Sequence, residues 1–139
     1  MPDPKRILVL CTGNRCRSQM AEGWLRHLGG PAVEVFSAGT RPKGLHPIAV
    51  QVMADAGVDI SQQTSDHVDQ YLDQHFDLVV TVCDNAKEAC PTFANAGKLI
   101  HHAFDDPDVQ GLSADESDAL FIRVRDEIRD WAQALLDTL

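Results

Sequence analysis

The chain has 139 residues and a formal net charge of −9. That length suits one domain that can bury a proper core without disulfides or metals, and the apolar and charged fractions are ordinary for a soluble globular protein. The negative balance argues against a nucleic-acid partner, because the surface as a whole would repel phosphates, but it leaves room for a small anion held by local donors.

Residues 1–6 are polar, and the apolar run 7–10 is too short for a signal peptide or a membrane span, so a cytoplasmic protein with no membrane partner is expected. Residues 6–10 (RILVL) have the continuous apolar pattern of a strand covered on both faces. The run stops at CTGNRCRS, a turn-like stretch containing Gly13 and Asn14. From about Ser18 the spacing turns helical, with Met20, Trp24 and Leu28 available for one face and Gly29 and Gly30 as a stop. Residues 33–36 read as a second strand, which completes a βαβ unit.

Residues 47–56 read as a helix with Val50, Met53 and Ala54 on a common face, ended by Gly57. The polar segment 61–74 reads as loop with one short helix. A third strand follows at 76–82 (FDLVVTV), and 98–102 is a weaker fourth. Ser113, with Glu116 three residues on, makes a capping box for a last helix lined by Leu120, Val124, Ile128, Trp131 and Leu135. With no repeat or linker, the chain reads as one three-layer α/β domain over residues 1–139, a four-stranded parallel sheet with helices on both faces.

Chemistry concentrates in the loop after the first strand: Cys11, Thr12, Gly13, Asn14, Arg15, Cys16, Arg17 and Ser18. A loop joining a buried strand to a helix points successive backbone N–H groups at one spot, and the helix dipole adds positive potential there. Arg17 adds a planar fork for two oxygens of a tetrahedral oxyanion. The same field favours Cys11 as a thiolate, with Ser18 placed to donate a hydrogen bond to it. Cys16 is either a packed residue or a nearby thiol that traps an over-oxidised Cys11 as a disulfide. The bland alternative makes Cys11 a strand-end cysteine in a plain connector. The strand before, the Gly–Asn turn within and the helix after favour the functional reading.

The stretch VLCTGNRCRSQMAEG resembles the phosphate-binding loop of the low-molecular-weight protein tyrosine phosphatases and of the arsenate reductases that share their fold. The resemblance continues through SAGT (37–40), DISQQTSD (59–66), TVCDNAKEACP (81–91) and FDDP (104–107), in the family's order. It implies a low-molecular-weight tyrosine phosphatase-like fold, with the loop residues Thr12 to Ser18 binding the oxyanion. It makes Cys11 the nucleophile and Asp106, before Pro107, the general acid; spacing alone leaves Asp105 open. Where the phosphatases carry tyrosines after Asp-Pro, this chain has Asp108 and Val109, and it adds Cys83 and Cys90, which phosphoryl transfer does not need.

The resemblance therefore implies a thioredoxin-coupled arsenate reductase serving arsenic detoxification. Cys11, Cys83 and Cys90 would form a disulfide relay that supplies two electrons to As(V), and thioredoxin, glutaredoxin or a low-molecular-weight thiol would recycle it. Cys11 and Cys83 each follow a strand, and adjacent strands would lie roughly 4.8 Å apart. Seven helical residues from Cys83 to Cys90 rise about 10.5 Å, beyond the roughly 7 Å between Cα atoms that a disulfide spans. Residues 84–89 are thus expected to be helical when reduced and partly unwound when oxidised. A phosphatase and a non-catalytic oxyanion or redox sensor are the rival functions. No cofactor is required on this reading.

Four cysteines with His101 and His102 also raise structural zinc, which the C-x4-C and C-x6-C spacings disfavour. His46, His67 and His75 read as surface or packing residues, and Trp24 and Trp131 as core anchors. By resemblance alone, Asn14, Glu22, Ser37, Thr64 and Asp66 match a potassium site of some related reductases, and all five offer oxygen.

Overall fold

A run of apolar residues with no polar alternation forms a strand only where both of its faces are covered. The computed structural model, which describes residues 3–82, 93 and 95–139, places β1 (Lys5–Cys11) in that position. It lies between β2 (Val33–Gly39) and β3 (Phe76–Thr81), and β4 (Ala96–His101) completes a sheet of order β2-β1-β3-β4, parallel throughout. Ile7, Leu8, Val9, Leu10 and Cys11 are all buried. As an edge strand, β4 exposes most of its residues, Leu99 among them, which accounts for its weak apolar pattern.

The two faces of β1 feed two cores. Ile7 and Val9 meet α1 (Arg17–Gly29), α2 (Pro47–Asp55) and α3 (Ala114–Leu136) through Met20, Trp24, Met53, Phe121 and Ile128. Leu8 and Leu10 meet a smaller cluster of Ala38, Val68, Phe76, Val79 and Phe93. A 3-10 turn at Val68–Tyr71 covers that second face and is the short helix expected within 61–74. Each fully buried Leu, Ile or Phe contributes about 1.5–3 kcal/mol, so both layers matter to stability. Among the described residues, no helix is long and apolar enough to cross a membrane.

The last helix matches its sequence signals closely. Ser113 accepts from the Glu116 N–H and Glu116 accepts from the Ser113 N–H, the reciprocal capping box. Its core face includes Phe121 and Ala132 as well as Val124, Ile128 and Leu135, with Leu120 and Trp131 half-buried. Trp24 fastens α1 to it, donating from Nε1 to the Arg125 carbonyl at 3.1 Å.

One face assignment changes. On α2 the buried residues are Ala49, Val52 and Met53, whereas Ala54 is exposed and Val50 only half-buried. The physical reason is that α2 packs against both α1 and α3, so its core stripe continues to the half-buried Ala56, at spacing i, i+3, i+4, i+7. Residues 83–92 lie outside the described residues, and with them Cys83, Cys90 and the helix expected at 84–89.

Candidate active site

The loop between β1 and α1 owes its shape to where its carbonyls go. Thr12 O accepts from Arg41 N and Gly13 O from Lys43 N, both at 2.9 Å. Asn14 O accepts from Gln19 Nε2 at 2.9 Å and Ser65 Oγ at 2.8 Å. Arg15 O accepts from His46 N at 3.3 Å and Cys16 O from Met20 N at 2.9 Å. Five successive carbonyls therefore point outward into the protein. In a planar trans peptide the N–H points opposite to its carbonyl, so the amides of residues 13–17 face the other way. That other side is a cavity of about 170 Å³ lined by Cys11, Thr12, Gly13, Arg15, Cys16, Arg17, Lys43, Asp106 and Asp108. A ring of inward N–H groups at a helix N-terminus is an anion cradle.

Two residues make this conformation possible. Asn14 is fully buried with φ +44°, a left-handed conformation that Asn tolerates better than most residues. Its Nδ2 donates to Ser18 Oγ at 2.8 Å and to Ser37 Oγ at 2.9 Å, and its Oδ1 accepts from Asp66 N at 2.9 Å. Gly39, at the end of β2, leaves room for the loop. A Cβ there would stand 2.5 Å from the Thr12 carbonyl oxygen and 2.9 Å from that of Cys11.

Cys11, Arg17 and Asp106, the groups expected to carry the chemistry, line the same cavity. Cys11 is buried at its base. The largely buried Arg17 side chain donates from one terminal nitrogen to the Phe104 carbonyl at 3.3 Å, and its other lies 3.5 Å from Asp106 Oδ2. Arg17 Nε is buried and has no hydrogen-bond partner among the described residues. Asp106 is half-exposed at the rim, its Oδ1 accepting the Asp108 N–H at 2.9 Å. Asp105 is turned away and paired with Arg123 of α3 at 2.9 Å. Of the two adjacent carboxylates, only Asp106 lines the cavity.

Cys16 lines the cavity too, but burial, reinforced by Asp108 and Asp106 and opposed by Arg15 and Arg17, pushes its thiol up to about 12. It stays protonated at neutral pH and is a poor nucleophile. Ser18 is buried behind the loop as an acceptor for Asn14, which leaves its own hydroxyl hydrogen to donate elsewhere.

The five oxygen-bearing residues grouped by resemblance do converge. Glu22, Ser37, Thr64 and Asp66 line one polar cavity, and Asn14 joins them through Ser37 and the Asp66 N–H. Ser37 Oγ donates to Glu22 Oε1 at 2.5 Å, while Thr64 Oγ1 and Tyr71 OH donate to Asp66 Oδ2 at 3.0 and 3.1 Å. Burial raises the Glu22 carboxyl, against the pull of Ser37 and Arg26. The donor set, oxygen only with two carboxylates, fits a hard cation. Glu22 already has one positive partner, since an Arg26 terminal nitrogen lies 2.5 Å from Oε2.

Several contributors carried little sequence signal. Gln19 is fully buried on α1, where a polar residue reads as a break in the apolar stripe; here it reaches back to the loop. His46 is buried, packs against Phe121 and caps α2 by accepting Ile48 N–H at Nδ1, so it is a packing residue that also reaches the site rim. Gly39 had a clue in its place within the SAGT stretch.

An anion cradle with a buried cysteine at its base, on the loop after the first strand of a parallel α/β sheet, defines a thiol-dependent oxyanion-binding protein. The match to known proteins is more specific. Residues 6–139 match the model of the low molecular weight phosphotyrosine protein phosphatase family, and the chain belongs to that family. It is 49% identical over 134 residues to an arsenate reductase of Halalkalibacterium halodurans, spanning 96% of each chain. An arsenate reductase of Bacillus subtilis strain 168 is 46% identical over the same length and shares. A solved arsenate reductase in a phosphate-binding state superposes with a TM-score of 0.82 at 31% identity, covering 96% of this chain and 98% of that one.

Proposed function

We propose that this protein reduces arsenate to arsenite, as a cytoplasmic enzyme of arsenic detoxification. The observation that carries the reading is the outward bonding of all five loop carbonyls, which leaves inward N–H groups and the Arg17 fork around Cys11. Names borne by near-half-identical relatives support arsenate over a phosphate ester. So does the rim, where Asp108 stands in place of an aromatic wall.

In the first step the Cys11 thiolate attacks arsenic. An S–As bond forms, one As–OH bond breaks, and the leaving hydroxyl takes the Asp106 proton to depart as water. Arg17 and the loop amides hold the remaining oxygens, and the Ser18 hydroxyl supports the thiolate. In the second step a Cys83 thiolate attacks the Cys11 sulfur. The S–S bond forms as the S–As electron pair passes to arsenic, which leaves as arsenite. Cys90 then displaces Cys11 from Cys83, and a dithiol such as thioredoxin reduces the Cys83–Cys90 disulfide. One structural fact favours this order: β1 and β3 are adjacent and parallel, with the Val82 N–H donating to Leu10 O at 3.0 Å. Cys83 is the next residue in the chain.

Asn14, Glu22, Ser37, Thr64 and Asp66 would hold a potassium ion, whose charge would offset the two carboxylates behind the loop. A melting temperature equal in potassium and sodium buffers would remove it from the account.

The relay is tested by arsenate-dependent NADPH oxidation through thioredoxin reductase and thioredoxin. Wild type should turn over, and Cys11→Ser, Cys83→Ser and Cys90→Ser should each stop. Loss in the first variant alone, with both others fully active, would refute the relay and restore a phosphatase or single-thiol reaction.

A further inference from the structure

We propose that Arg15, His46 and Asp108 form a clasp that positions the Asp106 carboxyl over the anion loop. The three residues come from three separate segments, the loop after β1, the turn before α2 and the segment after β4; Arg15 and Asp108 meet at the cavity lining, and His46 joins them through Asp108. Asp108 is the shared partner. Its Oδ2 lies 3.1 Å from Arg15 Nε, and its Oδ1 lies 3.4 Å from His46 Nε2.

Each outer member is itself fixed. One Arg15 terminal nitrogen donates to the Lys43 and Gly44 carbonyls at 3.3 and 3.5 Å. His46 Nδ1 accepts the Ile48 N–H at 3.0 Å, which puts the ring proton of the neutral imidazole on Nε2, facing Asp108. The ring is seated against Phe121, with centroids 4.9 Å apart, and the His46 N–H returns to the Arg15 carbonyl. One carboxylate thus ties the segment after β4 to two anchored side chains.

The link to chemistry runs through the backbone. Asp108 donates its N–H to Asp106 Oδ1 at 2.9 Å, so fixing the Asp108 side chain fixes the amide that orients the Asp106 carboxyl. Without the clasp, the described tethers of this segment include the His102 N–H on Thr81 O, the His102 and Phe104 rings against Trp131, Asp105 on Arg123, the Phe104 carbonyl on Arg17, the Phe104 N–H on Val82 O and Arg17 beside Asp106. Most of these hold residues ahead of Asp106; after it Pro107 is buried, but among the described residues the hydrogen bonds and ion pairs of residues 107–112 are those of Asp108. A proton donor displaced by about 1 Å can lose on the order of 100-fold in rate. The clasp also keeps the Asp108 charge occupied by Arg15, so a second carboxylate can border an anion site without a bare negative charge. Asp108, Arg15 and His46 are positioning residues on this account; none is asked to touch the reacting atoms.

The proposal rests on Asp106 as the proton donor, and the test separates the two. Arsenate turnover is measured for Asp108→Ala, Asp106→Asn and the double variant, with arsenate affinity taken from the same changes in a Cys11→Ser background. The clasp predicts that Asp108→Ala lowers kcat about tenfold or more without weakening arsenate binding. In the Asp106→Asn background the same change should cost nothing further, because its effect passes through the carboxyl already removed. Asp108→Asn, which keeps the shape and an acceptor oxygen, should recover part of the rate and serves if the alanine variant does not fold. Additive losses from Asp106→Asn and Asp108→Ala would overturn the clasp, as would full activity in both Asp108 variants. Full activity of Asp106→Asn would instead overturn the proton-donor reading.

Discussion

The loop from Cys11 to Arg17 and the segment carrying Asp106 border one cavity, yet they are held in opposite ways. The loop is buried or half-buried and held chiefly through its own backbone: five carbonyls are bonded outward, and the Asn14 side chain knits it to Ser18, Ser37 and Asp66. The Asp106 segment is largely exposed and held by side-chain charge, through Asp105–Arg123, Asp106–Arg17 and Asp108–Arg15. The difference suits the tasks proposed for them. An anion cradle works by being built before the anion arrives, so its donors should not move. A proton donor must meet a leaving group at the cavity mouth and then let product go, so its carboxyl is set at the rim by several exposed ion pairs, worth about 0–1 kcal/mol each, rather than sealed into the core.

The largest effect is expected at Gly39. Gly39→Ala puts a methyl carbon into the Thr12 and Cys11 carbonyls, with no flexible side chain to yield. Oxyanion affinity should fall on the order of 100-fold, in keeping with the cost of small displacements in a preorganised site. An unchanged phosphate titration would show that the cradle tolerates movement.

His46 sharpens the other side. Burial, with Arg15 adding to it and Asp108 opposing, lowers its pKa from the ordinary value. A histidine kept neutral by the fold contributes stability that is present above its unfolded pKa, about 6.5, and is lost as pH falls through the folded value. His46→Gln should therefore flatten the decline of melting temperature below about pH 6.5. An unaltered slope would mean that another group titrates. The smallest effect is expected at Cys16: with its thiol pushed up to about 12, Cys16→Ala should leave turnover within about threefold of wild type. A large loss would give that thiol a chemical role.

These two regions were not equally legible in the sequence. The cradle could be read from local order alone, because apolar strand, Gly–Asn turn and helix follow one another within residues 6–28. The capping box at Ser113 was legible for the same reason, since its partners lie three residues apart. What supports the loop was not. Gln19 and Ser65 bond the same Asn14 carbonyl from different parts of the chain, and neither has a pattern that says so. Which of Asp105 and Asp106 faces the cavity was closed to spacing because the residue that pairs with Asp105, Arg123, is far along the chain on α3. The α2 face slipped because its buried stripe is set by two helices packed against it, and a short amphipathic run fits more than one stripe.

The most direct test of the central claim is titration of arsenate into Cys11→Ser protein, with and without Arg17→Ala. Cys11→Ser should bind arsenate at a single site, displaced by phosphate, and weakened on the order of 100-fold or more when the guanidinium is removed. Absence of binding in Cys11→Ser, or binding indifferent to Arg17, would contradict that claim.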